Sequence, residues 1–370
     1  MLLRVAASAV RRIVDPAGGR QQRPGPRRWH TGPAVATGEF ELIARLAPFL
    51  ASGGDGLLVG HGDDAAVVSV GERAVCLCVD VLVEDVHFRR DLSSLADVGW
   101  KAVAVNVSDI AAMGAAPSVA VVGLCRPSSL GEEEVEHLYA GMAAACERWG
   151  LKLVGGDTVV ADALALSVTV MGDVAPEQVV RRSGARPGDR LVLVGALGAA
   201  AAALAQVAAG RDPDERLLAA HRRPAALLKA GQALAEGGAH ALIDVSDGLG
   251  ADLGHVCEAS GVSARVDWTS LPVADGVLAA AEDVGADVVS LVCGGGEDFA
   301  LLAAVPAAGA AALAEAAARA EGVPAAVIGE VLAADAGRPQ VSLRLPDGGV
   351  RDLTALGYDH FREPSGGPPG

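Results

Sequence analysis

The chain has 370 residues, 51 % of them hydrophobic and 21 % charged, which is enough apolar material for two domains with cores of their own. A formal net charge of −16 argues against a general nucleic-acid binder, whose affinity comes from neutralising phosphates with Lys and Arg. No uninterrupted apolar run reaches the roughly 18–20 residues of a membrane span, and with aromatics at 3 % the cores must pack from small aliphatic side chains.

Charge is unevenly spread. Residues 1–37 hold seven Arg and one acid, Asp15, so residues 38–370 carry a net −22. The Arg-rich, acid-poor start has the composition of an organelle presequence, and equally that of a disordered extension. Six cysteines (76, 78, 125, 146, 257 and 293) show no Cys-x-x-Cys spacing. Sitting in apolar runs, they read as buried thiols of a reducing, cytoplasmic compartment.

From residue 38 the pattern becomes regular. Helical spacing over 39–46 is followed by strands over 65–70 and 74–79, then a long helix over 94–113 closed by Gly114 and Pro117. A strand over 119–124, a helix over 132–149, and strands over 151–154 and 164–171 complete a first α/β domain, 38–178. A polar bridge at 181–189 opens a second α/β domain, 179–363. Its expected elements are strands at 191–194, 263–267, 299–305 and 325–331, helices near 197–209, 224–236 and 307–320, and a strand–turn–helix over 241–260. The Pro/Gly-rich tail 364–370 reads as frayed.

Acids recur at strand ends and turns. Asp63 and Asp64 open a strand, Asp80 is expected to end one, and Gly155-Gly156-Asp157-Thr158 is expected to turn after one. Asp244-Val245-Ser246-Asp247-Gly248 spans a strand-to-helix turn. There Asp244 and Ser246 face one side, and Asp247 sits near a helix N-terminus. Asp109 interrupts an otherwise apolar helix, where a buried carboxylate is costly unless paired or metal-bound. Each motif also has a plainer reading: a solvated helix face for Asp109, a bare turn for Gly-Gly-Asp, an N-cap for Asp247, a hairpin for Gly294-Gly295-Gly296-Glu297-Asp298. Together they suggest one site where hard oxygen ligands hold Mg²⁺ and Mg²⁺ holds phosphate. Neither a Gly-x-x-x-x-Gly-Lys-Ser/Thr loop nor a Gly-x-Gly-x-x-Gly after a strand is present, so a nucleotide would be held mainly through metals.

In order and spacing, these segments resemble the thiamine-monophosphate kinase family. The matching stretches are Gly38-Glu39-Phe40, Gly62-Asp63-Asp64-Ala65, Asp80 to His87-Phe88, Lys101 to Gly114, Gly155 to Thr158, Arg182 to Ala185, Asp244 to Leu249, Gly295 to Phe299, and Gly357-Tyr358-Asp359-His360-Phe361. The resemblance implies a two-domain aminoimidazole ribonucleotide synthetase-like fold, in which the N-terminal domain dimerises through its sheet and a C-terminal α/β domain packs across the cleft. It implies a homodimer that uses ATP to phosphorylate thiamine monophosphate, with several Mg²⁺ ions. By the same carry-over Asp64, Asp80, Asp109, Asp157, Asp244 and Asp247 are metal ligands. Gly156, Asp157, Arg182 and Ser246 contact ATP, and His87 and Glu297 contact the thiamine phosphate. No residue is nominated as a general base. Where the family commonly has Ser-Thr-Asp this chain has Cys78-Val79-Asp80, which implies a lost hydroxyl ligand, and Ala355 replaces a common aromatic. The alternatives are another ATP-dependent enzyme of the superfamily, or an impaired homologue that binds nucleotide or thiamine phosphate.

Overall fold

The computed structural model describes residues 39–51, 54, 56–335, 340–354 and 356–357. The expectations for the 1–37 extension, Ala355, the 358–361 stretch and the 364–370 tail lie outside the described residues.

After helix α1 (Glu39–Leu46), the first half forms strands β1 (Leu57–Val59), β2 (Ala66–Val70) and β3 (Arg73–Val83), helix α2 (Leu95–Ala112), β4 (Ala116–Arg126), α3 (Glu132–Trp149), β5 (Lys152–Val160) and β6 (Ala165–Val174). The six strands make one sheet in the order β1-β2-β3-β6-β4-β5, antiparallel except where β4 meets β5. Alternation along β3 sends Ala74, Cys76, Cys78 and Leu82 into the core, while Leu77, Val79 and Val81 stay exposed on the other face. Helices α2 and α3 pack together, with α2 against β3 and β6. Val68, Val121 and Met171 are likewise exposed.

The second half runs β7 (Arg190–Val194), α4 (Ala199–Ala208), α5 (Glu215–Arg222), α6 (Leu228–Glu236), β8 (Ala241–Val245), α7 (Leu249–Ser260), β9 (Val262–Asp267), α8 (Val277–Val284), α9 (Val288–Gly294), β10 (Ala300–Val305), α10 (Ala310–Glu321), β11 (Ala325–Ala333), β12 (Val341–Arg344) and β13 (Val350–Asp352). Its seven strands are ordered β13-β12-β9-β11-β7-β10-β8. Strands β7, β8 and β10 are apolar on both sides, because helices cover both faces of this sheet.

Helix α2 joins the halves. A capping box starts it, with Ser94 accepting from the Asp97 N–H and Asp97 accepting from the Ser94 N–H. Thirteen of its eighteen residues are buried, so it has no solvent face of the ordinary amphipathic kind. Glycines let its neighbours approach: a Cβ on Gly99 would stand 2.0 Å from the Leu138 carbonyl oxygen, and one on Gly141 of α3 would stand 1.9 Å from that of Ala96. On the far side Ala111 and Ala112 pack with Leu227, Ala230 and Leu234.

Two expectations are corrected, and one plainer reading is set aside. Strand β3 continues past Asp80 to Val83, so Asp80 is inside a strand and not at its end. Gly155-Gly156-Asp157-Thr158 is not a turn but the middle of β5. Gly156 is needed there because a Cβ would stand 1.9 Å from the Val122 carbonyl oxygen of β4. The glycine run at 294–296 ends α9 and enters a left-handed turn in place of a hairpin, with Gly296 at φ 68°. The short helices α5, α8 and α9 were not anticipated from the sequence, because two turns leave few apolar positions to set a period.

Gly141→Ala is expected to destabilise the chain by about 3 kcal/mol by forcing α2 and α3 apart, measured by urea denaturation. A loss below about 0.5 kcal/mol would show that the helix contact relaxes freely.

Candidate active site

Three elements distant in sequence each bring one acid to a single point. Asp64 lies two residues before β2, Asp109 lies in the last turn of α2, and Asp244 is inside β8. One carboxylate oxygen from each lies within 4.8 Å of the others. Asp80 and Asp247 line the same cavity as Asp109, Asp244 and Ser246.

Polar neighbours hold these acids in place. The Ser108 hydroxyl donates to Asp244 Oδ2 at 2.6 Å, and Arg182 Nη2 donates to Asp64 Oδ1 at 2.6 Å. Asp63 accepts the Arg182 backbone N–H at 2.9 Å, which fixes the backbone from which the guanidinium extends. The Asp80 N–H donates to the Asn106 side-chain oxygen at 3.1 Å. Asp252, buried in α7, accepts from the Asp247 and Gly248 N–H groups and fixes the turn that presents Asp247.

Burial is the first cause of the electrostatic state, and mutual repulsion the second. Asp80 is pushed up to about 6 by burial and then by the charges of Asp247 and Asp64. Asp244 is pushed up to about 8 by burial and by Asp64, with the Ser108 hydroxyl partly opposing. Asp109 is raised well above the carboxylate range by burial and by Asp80. Asp64 is raised by burial despite the Arg182 guanidinium beside it. Acids this close cannot all ionise unless a cation joins them. Asp64 Oδ2 is buried without a partner, and every donor in the cluster is a hard oxygen. This set fits Mg²⁺.

The cavity measures about 390 Å³ and is also lined by the apolar side chains Phe88, Val105, Leu204 and Phe299. His87 and Glu297 line it as well, and Lys101, which binds both, is two turns before Asp109 on α2, so they mark a second end of the cavity. His87 Nδ1 accepts the Val83 N–H at 3.1 Å, so its proton is on Nε2. Glu297 has a left-handed backbone, φ 59°, rare for a residue with a Cβ, and its N–H donates to the Ser246 carbonyl at 2.7 Å. Burial favours its acid form, but the Lys101 ammonium and the His221 hydrogen bond outweigh that and hold Glu297 at about 2.

Family models for AIR synthase related protein match residues 62–174 with the N-terminal domain and 186–342 with the C-terminal domain. A thiamine-monophosphate kinase of Mycobacterium tuberculosis is 42 % identical over 269 residues, 72 % of this chain and 80 % of that protein. That of Escherichia coli K12 is 36 % identical over 337 residues, 89 % of this chain and all of its own length. This chain belongs to the thiamine-monophosphate kinase family. The solved AaThiL complexed with AMPPCP and TMP is 30 % identical, covers 87 % of this chain and 97 % of its own, and superposes with a TM-score of 0.74. Membership makes the chain a two-domain α/β enzyme of the aminoimidazole ribonucleotide synthetase-like fold.

Of the residues that the family resemblance nominated, the fold gathers Asp64, Asp80, Asp109, Asp244, Asp247, Ser246, His87, Glu297 and Arg182 around one cleft. Asp109 is thus no part of a solvated helix face. Gly156 and Asp157 are not gathered there. Both are exposed on edge strand β5, and register sets Asp157 beside Gly123 of β4, away from the carboxylate cluster. Val79 is 57 % exposed on the sheet face opposite Asp80, so its missing hydroxyl does not belong to this cluster. Cys78 Sγ contacts the Asn106 carbonyl at 3.4 Å, in the core beneath Asp80. Sequence reasoning missed the roles of Ser108, Asp252 and His221. Ser108 precedes Asp109 and could have been flagged as buried beside it, whereas His221 carried no signal.

In metal-free protein the raised acids bind protons that the unfolded chain has released between about pH 4 and 8, so stability falls as pH rises through that window. Thermal melts should show this slope, with added Mg²⁺ flattening it. Asp109→Asn should raise the metal-free melting temperature by about 2–4 °C at pH 8 and abolish the Mg²⁺ response. A variant that still gains stability from Mg²⁺ would remove Asp109 from the ligand set.

Proposed function

We propose that the chain transfers the γ-phosphoryl group of ATP directly to thiamine monophosphate, giving thiamine diphosphate and ADP. The observation that supports it is a cavity in which converging acids stand at one end and Glu297 and His87 at the other, with apolar side chains in its lining. The acid end suits a polyphosphate brought in with cations, and the other end suits a flat heterocycle. A terminal oxygen of the thiamine phosphate attacks the γ-phosphorus, and the bond to the β–γ bridging oxygen breaks with its electron pair leaving on ADP. Such a transfer needs positioning and charge neutralisation more than covalent help, in keeping with the lack of a nominated general base.

Asp64, Asp80, Asp109, Asp244 and Asp247 would hold Mg²⁺, which neutralises charge on the phosphates. Arg182, already paired with Asp64, directs its guanidinium to the incoming phosphates, and Ser246 offers a hydroxyl between Asp244 and Asp247. His87, with its proton on Nε2, and Glu297 contact the thiamine moiety. The purified protein with Mg²⁺, ATP and thiamine monophosphate should form thiamine diphosphate, and Asp247→Asn should slow turnover by about 10²-fold or more. No product from the wild-type protein under those conditions overturns this reading.

We also infer a homodimer built on the uncovered face of the first sheet. Leu77, Val79, Val81, Val121 and Met171 are all exposed there, with fractional exposures of 39–57 %. Apolar side chains in such a continuous array mark an interface in a protein of this charge. Asp157 stands on the same face by register, so any part that it and Gly156 take in nucleotide binding is played at the dimer seam. Val79→Lys with Val81→Glu should yield monomers in sedimentation velocity, and a dimer that survives both changes would place the interface elsewhere.

A further inference from the structure

Lys101 and His221 are both nearly fully buried, at 2 % and 4 % exposure, although neither touches the carboxylate cluster. They come from different halves of the chain, Lys101 from the second turn of α2 and His221 from the end of α5. Both converge on Glu297. Lys101 Nζ donates to Oε1 and also to the His87 carbonyl at 2.9 Å, while His221 Nδ1 lies 2.6 Å from Oε2. A carboxylate accepts only, so the proton between them is on His221 Nδ1. Lys101 Nζ, 3.4 Å from that same nitrogen, is a second donor and cannot be its partner.

His221 is held from behind by the segment that follows it. The Trp100 indole donates to the Pro224 carbonyl at 2.9 Å and the Trp149 indole to that of Ala226 at 3.1 Å. Arg222 donates to the Leu92 carbonyl, and Arg223 pairs with Asp97 while its guanidinium lies 5.6 Å from the Trp100 ring. The end of α5 is therefore pinned to the first domain at four points. Glu297 itself is three-quarters buried, with a left-handed backbone stapled to the Ser246 carbonyl. A strained residue whose two carboxylate oxygens are each engaged by a buried donor has one orientation. Glu297 lines the cavity together with Phe88, Val105 and Phe299.

We propose that Lys101 and His221 are positioning residues that lock the Glu297 carboxylate so that its free lone pairs accept a donor from the substrate's amino-bearing heterocycle. This deepens the reading of the cavity as a thiamine monophosphate site and rests on it. The pair does not take part in phosphoryl transfer, since both side chains are committed to Glu297 and neither bonds an acid of the cluster. Its effect is on how well the heterocycle is held.

Steady-state kinetics on the full chain test this, with thiamine monophosphate and ATP varied separately. His221→Ala should raise the KM for thiamine monophosphate by about 10- to 100-fold, the worth of a charged hydrogen bond. Its kcat and its KM for ATP should stay within about threefold. Asn at 221 sets its amide near the position of Nδ1 and Gln sets its amide near Nε2, so His221→Asn should recover most of the lost affinity and His221→Gln little of it. This comparison decides the matter if His221→Ala does not fold. Equal rises in both KM values, or equal behaviour of the Asn and Gln variants, would reduce His221 to a packing role and overturn the proposal. Wild-type turnover separates the two inferences. Its absence overturns the kinase reading and the substrate-facing role of Glu297 with it, whereas normal wild-type turnover without the KM split overturns the positioning role alone.

Discussion

Everything in this molecule hangs on the burial of one helix between two domains. α2 has protein on every side, and a helix with no wet face has nowhere inexpensive to put a polar side chain. Lys101, Asn106, Ser108 and Asp109 are nevertheless on it, and each is answered by a group from another element: Glu297, the Asp80 N–H, Asp244 and the carboxylate cluster. Lys101, Val105 and Asp109 repeat every four residues and so form one stripe. That stripe lines the cavity from its Glu297 end to its acid end. The helix is at once the seam between the domains and the wall of the site.

The site stores electrostatic cost that the rest of the fold supports. Asp64, Asp109 and Asp244 are held close together where burial raises all three, and the charge of Asp64 raises the other two further. Left alone they hold protons, and a hard cation releases those protons by taking their place. Arg182 supplies the one organic positive charge in direct contact with the cluster among the described residues, and it reaches only Asp64. At the other end the balance reverses: Glu297 is kept ionised by Lys101 in surroundings that would otherwise protonate it. Two carboxylate environments, one awaiting a cation and one already paired, sit in one cavity and suit different parts of one substrate pair.

Much of the architecture was legible from period and punctuation. The long helix, the α3 segment, β2, β7, β8 and the β8–α7 turn follow from apolar spacing flanked by Gly, Pro and capping residues. Boundaries failed where a strand carries polar residues or glycines. Asp80 and the Gly155–Asp157 stretch look like turn material but are interior strand, because neighbouring strands satisfy their backbone and Gly156 lets β4 approach. His221 was invisible for a different reason. Nothing within ten residues of it marks a buried imidazole, and its partner Glu297 is 76 residues away.

Residue types and their order by themselves determined the chemistry available: hard oxygen donors at repeated turns, no glycine-rich phosphate loop, an acidic body, and a pattern that places the chain in a kinase family. Acids cost too much in apolar segments to be there by composition alone, so their presence already spoke of a shared partner. Only the tertiary structure decided which of them meet. It brought Asp64, Asp109 and Asp244 together, left Asp157 on an open sheet face, turned Val79 away from Asp80, and set Lys101 and His221 on either side of Glu297. Such contacts depend on the crossing of two domains and on strand register, where a one-residue slip would send each strand side chain to the other face.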